Sequence, residues 1–182
     1  MRRRPIGVFD SGVGGLTVLH ELLVRLPEED YVYLGDTERF PYGQRSREEI
    51  ERFAAQMAEE LLRRRVKLLV VACNAATSAA LPALRRRMMD TTLGVDVLGV
   101  LTPESIQAVA ATRSGRIGLL ATPATVASGA PGAAAAPGAA CSATTTPSNG
   151  DVSICGPLPP PARFSASKFA CASETALSAW AS

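Results

Sequence analysis

Residues 68–73, Leu-Leu-Val-Val-Ala-Cys, are apolar at every position and form the longest such run in the chain. A strand with no polar alternation is covered on both faces, and strands of that kind belong to parallel sheets flanked by helices. Six residues fall far short of the ~18 to 20 that cross a bilayer. The segments on either side fit the same architecture. Residues 5–9 (Pro-Ile-Gly-Val-Phe), 31–34, 67–72, 97–101 and 116–121 read as strands. Between them, residues 14–26, a helix opened by Ser46, residues 77–89 and residues 103–112 carry helical spacing. In the first helix Leu16, Leu19, Leu22, Leu23 and Leu26 share one face. In the second, Glu49 follows Ser46 by three residues as a capping box, and Ile50, Phe53, Ala54, Met57 and Leu61 supply the stripe. Strands alternating with helices of these lengths imply right-handed crossovers and a parallel sheet, so the fold class is α/β.

Composition divides the chain. Within residues 131–182 only Asp151, Arg163, Lys168 and Glu174 are charged, and seven of the 13 prolines lie there. Prolines at that density interrupt helices and central strands alike. The segment reads as irregular low-complexity coil with a short helix near residues 173–180. The expected domains are a first α/β domain over 1–96, the beginning of a second over 97–130, and an Ala/Pro/Gly/Ser-rich tail over 131–182. The change falls inside a strand–loop–helix unit rather than in a linker, which suggests an out-of-frame tail. The whole chain has 47% hydrophobic and 20% charged residues and a net charge of +2. That is the balance of a soluble globular protein, not of a nucleic-acid binder. Residues 1–4 are followed by Pro5 rather than by a signal-peptide core of about 7 to 15 apolar residues, so the expected location is the cytoplasm. The four cysteines make no C-x-x-C pair, and His20 is the single histidine; no metal site is expected.

In parallel α/β sheets ligands bind beyond the carboxyl ends of the strands. Standing there are Asp10-Ser11-Gly12-Val13-Gly14-Gly15, then Gly35-Asp36 leading to Pro41-Tyr42-Gly43, then Cys73-Asn74, and finally Thr102, Thr122 and Thr125. Phosphate-binding glycine signatures are absent, and Asp10 would repel a phosphate. Each element also has a plain structural reading. The glycines after Ser11 can serve a tight turn through positive φ. Cys73 can be an inert buried thiol, although a helix start beside it lowers a thiol pKa. Asp36 and Tyr42 can pack and cap a loop. His20 reads as structural or exposed, and Arg63–Arg65 and Arg85–Arg87 as solvated helix ends.

Three stretches taken together carry more. Ile6–Leu16 (I-G-V-F-D-S-G-V-G-G-L), Tyr33–Gly43 (Y-L-G-D-T-E-R-F-P-Y-G) and Val70–Thr77 (V-V-A-C-N-A-A-T) closely resemble glutamate racemase in order and spacing. Ile117–Ser128 is similar to the threonine-bearing loop of that family's second domain, so the resemblance spans about residues 5–130. Ala75 stands where a threonine is common, and Ala121 and Ala124 where glycines are common.

The resemblance implies a cofactor-independent isomerase of two similar α/β domains that interconverts L- and D-glutamate and supplies the D-isomer for peptidoglycan, hence for the cell wall and cell shape. Inversion without a cofactor needs a base on one face of the α-carbon and an acid on the other; the family uses two cysteines. By motif match Cys73 is the first, assisted by Asp10, with Asp10, Ser11, Pro41, Tyr42, Gly43, Asn74, Ala75, Thr122 and Thr125 holding the substrate. The implied partner is small-molecule glutamate, with neither nucleic acid nor membrane, and a homodimer is compatible. The family's second cysteine is followed by Thr-His, a sequence that does not occur here, and Cys141, Cys155 and Cys171 lie in coil-like sequence. Impaired turnover is therefore expected. The alternatives are an inactive truncated fragment, a ligand-binding domain, or a racemase for a related amino acid such as aspartate, which Ala75 keeps open.

Overall fold

A computed structural model describes residues 4–89, 94–114, 116–129 and the backbone of 140–143. The elements are β1 (Ile6–Asp10), α1 (Leu16–Arg25), β2 (Tyr31–Gly35), a 3-10 turn (Tyr42–Gln44), α2 (Arg47–Arg63), β3 (Leu68–Val71), α3 (Asn74–Met89), β4 (Asp96–Gly99), α4 (Leu101–Ala111), β5 (Arg116–Leu119), α5 (Pro123–Ala127) and β6 (Ala140–Ala143). Four strands form a parallel sheet in the order β2-β1-β3-β4. The α/β class and the parallel sheet are as the alternation requires.

The apolar run at β3 is central and covered on both faces. Leu69 and Val71 belong to the larger core with α2 and α3, while Val70 joins Ile6, Val8 and Ala72 under Val18, Leu19 and Leu22 of α1. Helix α2 begins where the sequence puts it. Ser46 Oγ accepts from Glu49 N at 3.2 Å and Glu49 Oε2 accepts from Ser46 N at 3.0 Å, closing the capping box. The helix buries Ile50, Phe53, Ala54, Met57, Ala58 and Leu61, each larger apolar side chain worth about 1.5–3 kcal/mol on full burial.

Several expectations need correction. The five leucines spaced on one helical face are not all covered: Leu16, Leu23 and, at the C-cap, Leu26 are exposed, and no residue of α1 is fully buried. Among the described residues the helical side chains packed on that face of the sheet are Val18, Leu19 and Leu22, so only that arc of α1 finds partners. Helix α3 starts at Asn74 rather than 77, and α4 at Leu101 rather than 103, with β4 ending at Gly99. In both places a small or apolar residue continues the helical backbone before the recognisable stripe begins. The tail read as irregular contains β6, which pairs in parallel with β5 from Arg116↔Ala140 to Leu119↔Ala143. Backbone hydrogen bonding forms that ladder without an alternating pattern. The helix anticipated near residues 173–180 lies outside the described residues.

Among the described residues no helix is long and apolar enough to cross a membrane. His20 is exposed, and three of the six arginines at the ends of α2 and α3 form ion pairs: Arg63 and Arg64 with Glu60, and Arg87 with Glu59.

Candidate active site

The carboxyl ends of β1, β2 and β3 bring together residues that lie far apart in the chain. Asp10 is the last residue of β1 and is buried. Its Oδ2 accepts from Gly12 N at 3.0 Å and Gly15 N at 3.1 Å, so the carboxylate organises the turn that leads into α1. The turn needs its glycine for close approach rather than for positive φ, contrary to the simplest expectation. No glycine of residues 12–15 has positive φ, yet a Cβ on Gly15 would stand 2.7 Å from Asp10 Cβ and 2.9 Å from Ala72 Cβ.

Ser11 and Cys73 are both buried, and the Cys73 thiol donates to Ser11 Oγ at 3.4 Å. Because α3 begins at Asn74, Cys73 occupies the position just before the helix, and Ala76 N–H donates to Sγ at 3.4 Å. The sequence predicts a lowered thiol pKa from this helix start. The structure reverses the sign. Burial and then the negative charge of Asp10 push the Cys73 thiol above its ordinary value, against the smaller opposing pull of Ser11 and Ala76.

Asn74 is half-buried; Glu104, in the first turn of α4, keeps an exposed side chain whose carboxyl is nonetheless pushed upward by the packing around it, against an opposing pull from Asn74. Ala75 is buried in the main core and its carbonyl accepts from Ser78 Oγ at 2.9 Å. Pro41 is half-buried, whereas Tyr42 and Gly43 in the 3-10 turn are buried. The Tyr42 hydroxyl donates to the Asp36 carboxylate, and burial followed by that bond drives its pKa upward. On α5 and its N-cap, Thr122 Oγ1 and Thr125 Oγ1 are 3.1 Å apart, and Thr125 is almost fully enclosed. These threonines reach the 3-10 turn directly: a Cβ on Gly43 would stand 2.5 Å from Thr122 Cβ.

Sequence reasoning overlooked two residues at this edge. Tyr33 donates its hydroxyl to Gly12 O at 3.2 Å, and burial, then the charges of Asp10 and Cys73, raise its pKa. Glu104 is the other. Tyr33 alternates with Tyr31 on one face of β2, a pattern that could have marked it; nothing in the spacing of α4 marks Glu104. Cys141 falls in β6, described by backbone alone, and Cys155 and Cys171 lie outside the described residues. Among the described residues no group of three or more His, Cys, Asp or Glu side chains could hold a metal ion.

No family model matches the chain. Individual proteins do. Glutamate racemase of Geobacter metallireducens is 50% identical over 119 residues, which cover 65% of this chain and 42% of that protein. The structure of glutamate racemase from Aquifex pyrophilus superposes with a TM-score of 0.69 at 44% identity, covering 75% of this chain and 52% of that one.

The chain is a homologue of glutamate racemase.

The glutamate racemase of Francisella tularensis, solved in complex with D-glutamate, matches at 38% identity with a TM-score of 0.62, over 71% of this chain and 47% of that one. The chain thus spans about half the length of the glutamate racemases it matches. At this edge of the sheet the glutamate-racemase resemblance rests on residues that are packed together, with Asp10, Ser11 and Cys73 in one buried group and Gly43 against Thr122.

Proposed function

We propose that the chain carries a glutamate-racemase half-site in which Cys73 takes the α-proton from one face of glutamate. The observation that carries this is the buried contact of Cys73 with Ser11 beside Asp10 at the strand ends. The D-glutamate complex of the Francisella tularensis relative supports the choice of substrate. A thiol held above its ordinary pKa is mostly protonated at neutral pH, but the thiolate, once formed, is a stronger base. Sγ removes the proton, the C–H electron pair remains on the α-carbon and spreads into the carboxylate, and a proton returns. Asp10 and Ser11 assist at Sγ, while Tyr42, Gly43, Asn74, Thr122 and Thr125 hold the substrate.

In the two-cysteine mechanism of the family a second thiol protonates the opposite face. The Cys-Thr-His sequence that carries it is absent from these residues, so the proposal includes impaired inversion by this chain. The full activity would supply D-glutamate for peptidoglycan in the cytoplasm.

The test is incubation with L-glutamate, and separately D-glutamate, in D2O, following the α-proton signal and optical rotation with Cys73→Ala as control. Loss of the α-proton signal without loss of rotation is expected, and only with Cys73 present. Equal traces for the wild type and Cys73→Ala would refute the proposal. Full racemisation would overturn the impairment. Aspartate is run alongside, because Ala75 offers no side-chain hydroxyl to discriminate the two acids.

A further inference from the structure

Asp36 is buried one residue beyond β2, and its bonds run to the wrong place for a simple strand-end cap. Its N–H donates to Asp10 O at 2.9 Å, tying it to the end of β1. Its carboxylate turns the other way. The two oxygens stand 3.0 and 2.7 Å from Arg39 Nε, and Oδ2 also accepts from the Tyr42 hydroxyl. Arg39 is itself held by α2: its guanidinium lies 4.6 Å from the Phe53 ring centroid, and Nη1 donates to Gln56 Oε1. The Tyr42 ring packs on the same Phe53 with centroids 5.6 Å apart.

We infer that Asp36 is a positioning residue that seats the Pro41–Gly43 turn against Thr122. A buried carboxylate persists when it is paired and hydrogen-bonded, and here both requirements are met by the segment that follows β2. Phe53 offers the Tyr42 ring a tilted contact with centroids 5.6 Å apart, which does not by itself fix how far the ring reaches. The hydroxyl, bonded to Asp36, sets that reach. Gly43 follows Tyr42 directly and has no slack, since even a Cβ there would collide with Thr122. The carboxylate at the end of one strand thereby determines where the 3-10 turn meets α5, 80 residues later in the chain. For substrate binding the inference rests on the glutamate reading; for the position of the turn it does not.

The test compares Tyr42→Phe, which keeps the ring, with Asp36→Asn, which keeps an acceptor for the hydroxyl. The reporter is hydrogen exchange at Arg45 N–H, which donates to Tyr42 O at 3.0 Å and closes the turn. In Tyr42→Phe exchange at Arg45 is expected to quicken roughly tenfold, the effect of one lost hydrogen bond to a charged group, while the amides of β3 keep their wild-type rates. Asp36→Asn is expected to quicken exchange at Arg45 less, by about fivefold, because the amide oxygen still accepts from the hydroxyl while the ion pair with Arg39 is lost. An unchanged Arg45 rate in Tyr42→Phe, or a parallel rise in β3, overturns the inference. A second readout is the D-glutamate concentration that half-protects Cys73 from iodoacetamide, expected to rise about tenfold in Tyr42→Phe. Absence of protection in the wild-type chain would count against the glutamate reading and leave the exchange result standing.

Discussion

Cys73 Sγ lies 3.4 Å from Ser11 Oγ, and the two side chains come from the ends of strands separated by 62 residues. The contact opposes two stronger influences. Burial and the Asp10 carboxylate favour the neutral thiol, while the Ser11 hydroxyl and Ala76 N–H favour the thiolate.

Removing these groups one at a time should therefore move Cys73 in opposite directions. Ser11→Ala takes away a bond that stabilises the thiolate and is expected to slow alkylation by iodoacetamide about three- to tenfold at fixed pH. Asp10→Asn removes a repelling charge while leaving an acceptor for Gly12 and Gly15, and should accelerate it by a similar factor. Rates followed by mass spectrometry from pH 7 to 10 would check both, and a shift in the same direction for the two variants would contradict this balance.

The same thiol should leave a mark on stability. A group whose folded pKa stands above its unfolded value stays neutral where the unfolded chain already ionises. Its contribution is whole below about pH 9 and is lost as the pH climbs from there towards the folded value. The melting temperature should accordingly fall by roughly 3 °C per pH unit above pH 9, and that component should vanish in Cys73→Ala. Tyr33 and Tyr42, also raised, should retain a further decline above about pH 10 in both proteins.

The junction between the 3-10 turn and α5 makes a third prediction. Gly43→Ala places a methyl group where Thr122 already stands and should cost about 1–3 kcal/mol. Thr122→Gly removes the obstructing Cβ, so the two substitutions should couple by at least about 1 kcal/mol in a double-mutant cycle read from urea unfolding. Additive losses would mean that the turn and α5 do not meet.

Much of this molecule was legible because the relevant signals are local. The capping box at Ser46 and Glu49 lies within four residues, and the unbroken apolar run at β3 needs no knowledge of what covers it. The D-S-G, P-Y-G and C-N stretches marked Asp10, Ser11, Tyr42, Gly43, Cys73 and Asn74 because each follows a strand. What escaped were properties that depend on opposing surfaces. The spacing in α1 groups Leu16, Leu23 and Leu26 on one face, but cannot say that the sheet meets only a narrower arc of it. The helix start behind Cys73 is visible in the chain; the burial and the Asp10 charge that outweigh it are not.

Sequence alone thus determined the α/β class, the parallel strands, the ends at which a ligand could sit and the resemblance to glutamate racemase, since periodicity, caps and short motifs are written along the chain. Tertiary structure decided the direction in which Cys73 titrates, the anchoring of Tyr42 by Asp36, the closeness of Gly43 to Thr122 and the pairing of β5 with β6. Those depend on distances across the fold, and both electrostatic and steric interactions sum over neighbours in space, whatever their order in the chain.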